Sequence, residues 1–263
     1  MSCVSMNDTA AAVSEDAFLG GRLLLRQPRS GHRAGHDAML LAAATAARRG
    51  DRVVDLGAGV GAAGLALARR IEGIALVLVE IDPGLAELAR RNAAANAIFA
   101  DVAVLDVTAG ARAFAAAGLG PDSVDVVLTN PPFNDSARHR ASSDPARAIA
   151  HMAEPATLEA WVHAARRILR SGGGLTMIWR ADGLPEVLAA LSRGFGSLVV
   201  QPVHGDASKP AIRILVRAVK GGRAPLQMLP GVMLNGAGGT PAAEVAAVLA
   251  GQGALALAEF PNA

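Results

Sequence analysis

From Arg52 onward the chain repeats one pattern, in which a short unbroken apolar run is followed by a segment with helical periodicity. Runs such as ALVLVEI at Ala75–Ile81 and VDVVLT at Val124–Thr129 carry aliphatic side chains on both parities. A strand that is apolar on both faces has to be covered on both, and strands joined through helices run parallel. The pattern therefore predicts an α/β, doubly wound, Rossmann-like sheet, mostly parallel, with helices on each side. Seven strands are expected, at Arg52–Leu56, Ala75–Ile81, Val102–Asp106, Val124–Thr129, Gly174–Trp179, Leu198–Val203 and Ile212–Val219. Helices are expected at Gly61–Ile71, Gly84–Asn96, Ala109–Ala117, Leu158–Arg170 and Leu184–Phe195. No helical segment separates the last two strands, so they should form a C-terminal antiparallel hairpin around the loop HGDASKP.

The flanks read differently. Up to about Glu15 there is no periodicity, as in a mobile end. A short strand at Leu23–Pro28 runs into a turn at Ser30-Gly31, and His36–Arg49 is helical in pattern. After Gly221 come an apolar stretch, Leu226–Leu234, and a short helix, Pro241–Ala250. The expected organisation is an N-terminal extension over 1–50, a core domain over 51–220 and a tail over 221–263. With 52% hydrophobic and 18% charged residues the chain is not of the disordered class. No apolar run of membrane-spanning length escapes interruption by Gly or charge, and the first residues lack a basic segment followed by an apolar core. No membrane span is expected, and a cytoplasmic location is. Cys3 is the single cysteine, which excludes a disulfide within one chain. His139 and His151 have no zinc-like partner set, so no metal is expected.

The first core strand ends in DLGAGVG, Asp55 to Gly61. Glycines at 57, 59 and 61 allow a tight turn and close approach of a ligand to the backbone, ahead of a helix N-terminus with free N–H groups. Gly59 to Gly64 also satisfies the dinucleotide pattern G-x-G-x-x-G, with Glu80 at the spacing of a ribose-binding acid. A nicotinamide oxidoreductase is thus one reading. Asp55 argues against it, since a carboxylate there suits the cationic methionine end of S-adenosylmethionine and would repel a pyrophosphate. Glu80 is the candidate for both ribose hydroxyls. Asp106 either accepts from the cofactor's adenine amino group or caps the helix before Thr108 and Ala109.

The fourth core strand runs into Asn130-Pro131-Pro132-Phe133. Two prolines fix their own φ and bias Asn130 away from the helical region, giving a stiff loop. It offers two acceptors, the Asn130 side-chain oxygen and the Pro131 carbonyl, and an aromatic face on Phe133 for a planar group. Two rigid acceptors favour the positive charge that builds on an amino nitrogen as it attacks a methyl group. Asn130, Pro131 and Phe133 are therefore the candidate catalytic residues. Cofactor-binding candidates are Asp55, Gly57, Gly59, Gly61, Glu80, Asp106 and Asn130.

DLGAGVG, VEID and NPPF together resemble the S-adenosylmethionine-dependent amino-methyltransferases with an Asn-Pro-Pro-aromatic motif, whose sheet has the seven-stranded layout above. The stretch DAFLGGRLLLRQPRSGHRAGHDAMLLAAA, Asp16–Ala44, and AIRILVRAVKGGRAPL near the end are similar to the bacterial tRNA adenine-N6 methyltransferases that modify the adenosine beside the anticodon of a valine tRNA. The resemblance spans roughly residues 16 to 230. It implies a short hairpin, then a helix over the cofactor's amino-acid end, with His36 and Asp37 at that place, so Asp37 joins the cofactor candidates. It implies S-adenosyl-L-methionine as cofactor and RNA, specifically the tRNA anticodon region, as partner. Three basic groups could hold phosphates if they line the mouth: Arg138, His139, Arg140, Arg147 and His151; Lys209, Arg213, Arg217, Lys220 and Arg223; and Arg22, Arg26, Arg29 and Arg33. A net charge of +2 does not by itself imply such a partner. Alternatives are a protein-glutamine or other RNA or DNA amino-methyltransferase, or a module that binds the cofactor without catalysis. Trp161 and Trp179 are expected in the core.

Overall fold

The computed structural model describes residues 13–29, 33–132, 158–236 and 239–259. Its centre is a nine-stranded sheet. In chain order the strands are β3 (Arg52–Leu56), β4 (Ala75–Glu80), β5 (Ala100–Val104), β6 (Val124–Thr129), β7 (Leu169–Arg180), β8 (Phe195–His204), β9 (Ala211–Lys220), β10 (Gln227–Met228) and β11 (Val232–Met233). They lie in the order β10-β8-β9-β7-β6-β3-β4-β5, with β11 also on β8. β3 to β7 are mutually parallel. β9 runs against both β7 and β8, as the helix-free connection requires. The expected doubly wound sheet with a C-terminal antiparallel hairpin is what forms.

Helices cover both faces, because both faces of these strands are apolar. On one side lie α1 (His36–Ala44), α2 (Ala62–Arg70) and α3 (Pro83–Ala95), which pack with Val53, Leu78, Val126 and Leu128. On the other lie α4 (Ala111–Ala116), the helical residues 158–168 (α5) and α6 (Leu184–Leu191), which pack with Val54, Val77, Val127 and Met177. A fully buried aliphatic side chain of this kind contributes about 1.5–3 kcal/mol. Chain reversal between β3's neighbours leaves a crevice above the carboxyl ends of β3 and β6, where ligands bind in open α/β sheets.

Several boundaries differ from expectation. β1 (Val13–Phe18) begins inside the segment read as a mobile end and pairs antiparallel with β2 (Leu23–Pro28). Its polar composition hides it, because Phe18 is the residue of this strand that packs against the core, while Glu15 and Ala17 are exposed. α1 stops at Ala44 and not at Arg49, since Thr45 turns extended with ψ of 119°. β7 and β8 each start earlier than predicted, at Leu169 and Phe195, where their ladders with β6 and β9 begin. The tail adds β10 and β11 to the β8 edge, then α7 (Ala243–Leu249). Val245, Val248, Leu255 and Leu257 join the core beside α1, and Leu255 N–H donates to Ala43 O at 2.9 Å. Among the described residues no helix is long and apolar enough to cross a membrane.

Candidate active site

The glycine loop sits where β3 ends. Gly57 and Ala58 N–H donate to Val79 O at 2.8 and 2.9 Å, which folds the loop toward the end of β4. Gly57 and Gly59 take φ of 71° and 57°, a region that costs other L-residues about 1–2 kcal/mol. Gly61 shares it at 88°. The surroundings of the three differ. A Cβ on Gly59 would meet nothing within 4 Å, so a ligand can approach the backbone there. A Cβ on Gly61 would press on Leu78 and Leu65, and one on Gly57 would overlap the ring of Trp161. Trp161 packs at the margin of the core, as expected only in part. It is half-buried on α5, with its indole over the first glycine of the loop, whereas Trp179 is 1% exposed and does lie in the core.

Glu80, the last residue of β4, is buried. Its Oε2 accepts from Gly59 N–H at 2.7 Å and its Oε1 from Asp82 N–H at 2.9 Å. Each oxygen keeps a second lone pair for a ligand hydroxyl. Asp55 is 2% exposed, and its Oδ2 accepts from Gly64 N–H at 2.8 Å, beneath the first turn of α2. Burial pushes its carboxyl from the ordinary 3.8 up to about 7; the Gly64 bond opposes that rise and the Glu80 charge adds to it. Asp82 caps α3, accepting from Gly84 and Leu85 N–H at 2.7 and 3.0 Å. Asp106 is exposed, and its Oδ1 accepts from Thr108 N–H and Oγ1 at 2.7 and 2.8 Å. Since Gly110 is the N-cap of α4, Asp106 closes a local turn and is not the helix cap. Asp37, in the first turn of α1, accepts from Arg213 Nε at 3.0 Å. That bond ties α1 to the end of β9 that adjoins Arg180, on the carboxyl side of β7.

Asn130 follows β6 directly. The ladder pairs Leu56 with Thr129, so Gly57 and Asn130 leave adjacent strands side by side. Thr129 Oγ1 reinforces this register by donating to Leu56 O at 2.9 Å. The Asn130 side-chain oxygen is buried and has no hydrogen-bond partner among the described residues. Such an acceptor costs about 1–3 kcal/mol until a donor arrives. Pro131 behind it is buried. Phe133, with Arg138, His139, Arg140, Arg147 and His151, lies outside the described residues, as does the Ser30-Gly31 turn.

The basic group of β9 is spread along its strand, and several of the other cations are engaged by nearby acceptors. Arg217 is 2% exposed. Lys220 bonds Asp122 and Leu169 O, at the far end of β9 from Arg213. Lys209 pairs with Asp206, Arg26 with Glu15 and Arg33 with Asp16, while Arg22 donates to Gly251 O at 2.6 Å. Spacing along the chain could not show this, because a strand of ten residues sets its first and last residues about 30 Å apart.

The crevice thus offers an open backbone at Gly59, a carboxylate at Glu80 and a buried acceptor at Asn130. A family profile described as methyltransferase small domain matches residues 32–201. The tRNA1(Val) (adenine(37)-N6)-methyltransferase of Porphyromonas gingivalis is 31% identical over 176 residues, covering 65% of this chain and 68% of that protein. The release factor glutamine methyltransferase of Chlorobaculum tepidum is 28% identical over 154 residues, 56% of this chain and about half, 52%, of that protein. Among solved structures, a predicted O-methyltransferase from Agrobacterium tumefaciens aligns with a TM-score of 0.70 and 34% identity, over 83% of this chain and 98% of that one.

Proposed function

The chain belongs to the methyltransferase small domain family and is an S-adenosylmethionine-dependent methyltransferase, and on that premise we propose that its acceptor is the N6 amino group of an adenine in tRNA. The observation that carries the reading is the buried, unpartnered Asn130 oxygen beside the cofactor loop. An exocyclic amino group brings two hydrogens, one for that oxygen and one for the Pro131 carbonyl. Its lone pair is shared with the ring, and both acceptors favour the charge that grows on nitrogen as the shared pair turns to the methyl group. The cofactor supplies a methyl group activated by its sulfonium, so the protein's part is positioning and electrostatics. In this reading Glu80 accepts from the ribose hydroxyls, Gly59 lets the cofactor reach the backbone, and Phe133 stacks on the base. Asp37 faces the cofactor's ammonium, with Arg213 holding its carboxylate. Asp55, bonded to Gly64, acts through the shape of the loop, and Asp106 accepts from the cofactor's adenine.

Similarity to the tRNA1(Val) (adenine(37)-N6)-methyltransferase supports tRNA as the substrate class, and we propose a loop adenine beside the anticodon as the position. A cytoplasmic location follows from that substrate. A glutamine side-chain amide would meet the same two acceptors, and the match to a release factor glutamine methyltransferase favours that second reading. Single-turnover methylation with labelled cofactor tests both. Wild-type protein should label tRNA at N6-methyladenosine, identified by mass spectrometry of nucleosides, and should not label release factor. Asn130→Ala should lower the rate by roughly 10²–10³ with cofactor affinity little changed. Near-normal turnover by Asn130→Ala would reduce the motif to a turn.

A further inference from the structure

Asparagine is a poor helix former in a helix interior, because its side chain competes for backbone groups. α3 nevertheless carries Asn92 in its last turn, and Asn96 follows as its C-cap; the two stand one turn apart and both are buried. They face the edge of β2 that β1 does not cover. Asn96 Oδ1 accepts from Leu24 N–H at 2.9 Å and its Nδ2 donates to Leu24 O at 2.7 Å. Asn92 Oδ1 accepts from Arg26 N–H at 2.8 Å and its Nδ2 donates to Arg26 O at 3.0 Å. Each side-chain amide does for β2 what a neighbouring strand would do.

The two differ in the remaining amide hydrogen. Asn96 spends it on its own helix, at Asn92 O, 2.8 Å away. Asn92 donates it to Val60 O at 3.0 Å, inside the glycine loop. That carbonyl follows Gly59, whose N–H is held by Glu80 from the other side. The connection continues along β2. Gln27 Oε1 accepts from Ala34 N–H at 2.9 Å, just ahead of His36 and Asp37 at the start of α1. Hydrogen bonds and the Arg26–Gln27 backbone of β2 therefore link the loop, through Asn92, to Ala34 just ahead of α1. A partly buried network with its members satisfied favours one geometry.

We infer that Asn92 is a positioning residue for the cofactor, setting the spacing between the glycine loop and the N-terminus of α1; this rests on the reading of that crevice as the cofactor site. Calorimetric titration of wild type, Asn92→Ala and Asn96→Ala with S-adenosylhomocysteine tests it. Each variant loses two bonds to β2, and only Asn92→Ala frees Val60. Asn92→Ala should raise Kd by roughly 10-fold, while Asn96→Ala stays within about 3-fold. At saturating cofactor, turnover of Asn92→Ala should return toward wild type, so the defect appears in KM. Equal weakening by the two variants overturns the inference and leaves the cofactor reading intact. Absence of binding by wild type overturns both. If Asn92→Ala does not fold, amide exchange on wild type decides the matter. S-adenosylhomocysteine should slow exchange at Arg26 more than at Leu24, and equal or absent protection overturns the inference.

Discussion

Replacing Asp55 by Asn should make the protein more stable at alkaline pH and leave it nearly unchanged at acid pH. The folded carboxyl titrates at about 7 and an unfolded one at 3.8, so the folded state holds the proton more tightly. Its contribution to stability is complete below the unfolded value. It is lost as pH rises toward the folded value and stays lost above it. At about 1.4 kcal/mol per pH unit, ionised Asp55 costs the folded state roughly 4 kcal/mol at most. Asparagine keeps an oxygen for Gly64 N–H and cannot ionise. The neutral acceptor makes a weaker bond, so about 2–4 kcal/mol of added stability is expected near pH 8. Urea unfolding of both proteins at steps between about pH 4.5 and 8.5 measures this. Groups shared by the two proteins cancel in the difference, which should grow with pH and level off above about 7. A difference that is flat or shrinks with rising pH would refute the reasoning.

Glu80→Ala should weaken S-adenosylhomocysteine binding by about 1–3 kcal/mol in calorimetry, because the ribose loses a charged acceptor and Gly59 loses its anchor. Gly57→Ala combines a left-handed φ with overlap on Trp161, so it should cost about 2–5 kcal/mol in thermal unfolding. Adding Trp161→Ala should relieve the overlap and leave the backbone cost, and strictly additive losses would show that Trp161 is not the limiting neighbour. RNA binding should weaken as salt rises, and an unpaired loop adenine should be methylated faster than a paired one. Affinity indifferent to salt, or preference for a full duplex, contradicts an RNA acceptor.

The sheet was legible because buried parallel strands leave their mark as apolar runs, and Gly57, Glu80 and Asn130 stood out as candidates because each stands at or just past the end of such a run. β1 was not, since a polar edge strand is defined by its partner more than by its own residues. Trp161 and Asn92 gave only faint signals: a tryptophan in a helical segment, and two asparagines at helical spacing in RRNAAAN. What each touches depends on how α5 and α3 pack against the loop.

By itself the sequence determined the local chemistry: which runs become strands, which glycines can turn at β3, and which acceptors stand after β6. Those properties depend on neighbours along the chain, through φ, ψ and side-chain period. The tertiary structure alone decided that Asp55 turns under α2 to Gly64, that Asp37 meets Arg213 and that Asn92 reaches Val60. It also decided that the cations of β9 part company along the strand. Arg213 lies 176 residues from Asp37, and a hydrogen bond needs atoms within about 3 Å, which only the packed sheet and helices bring about.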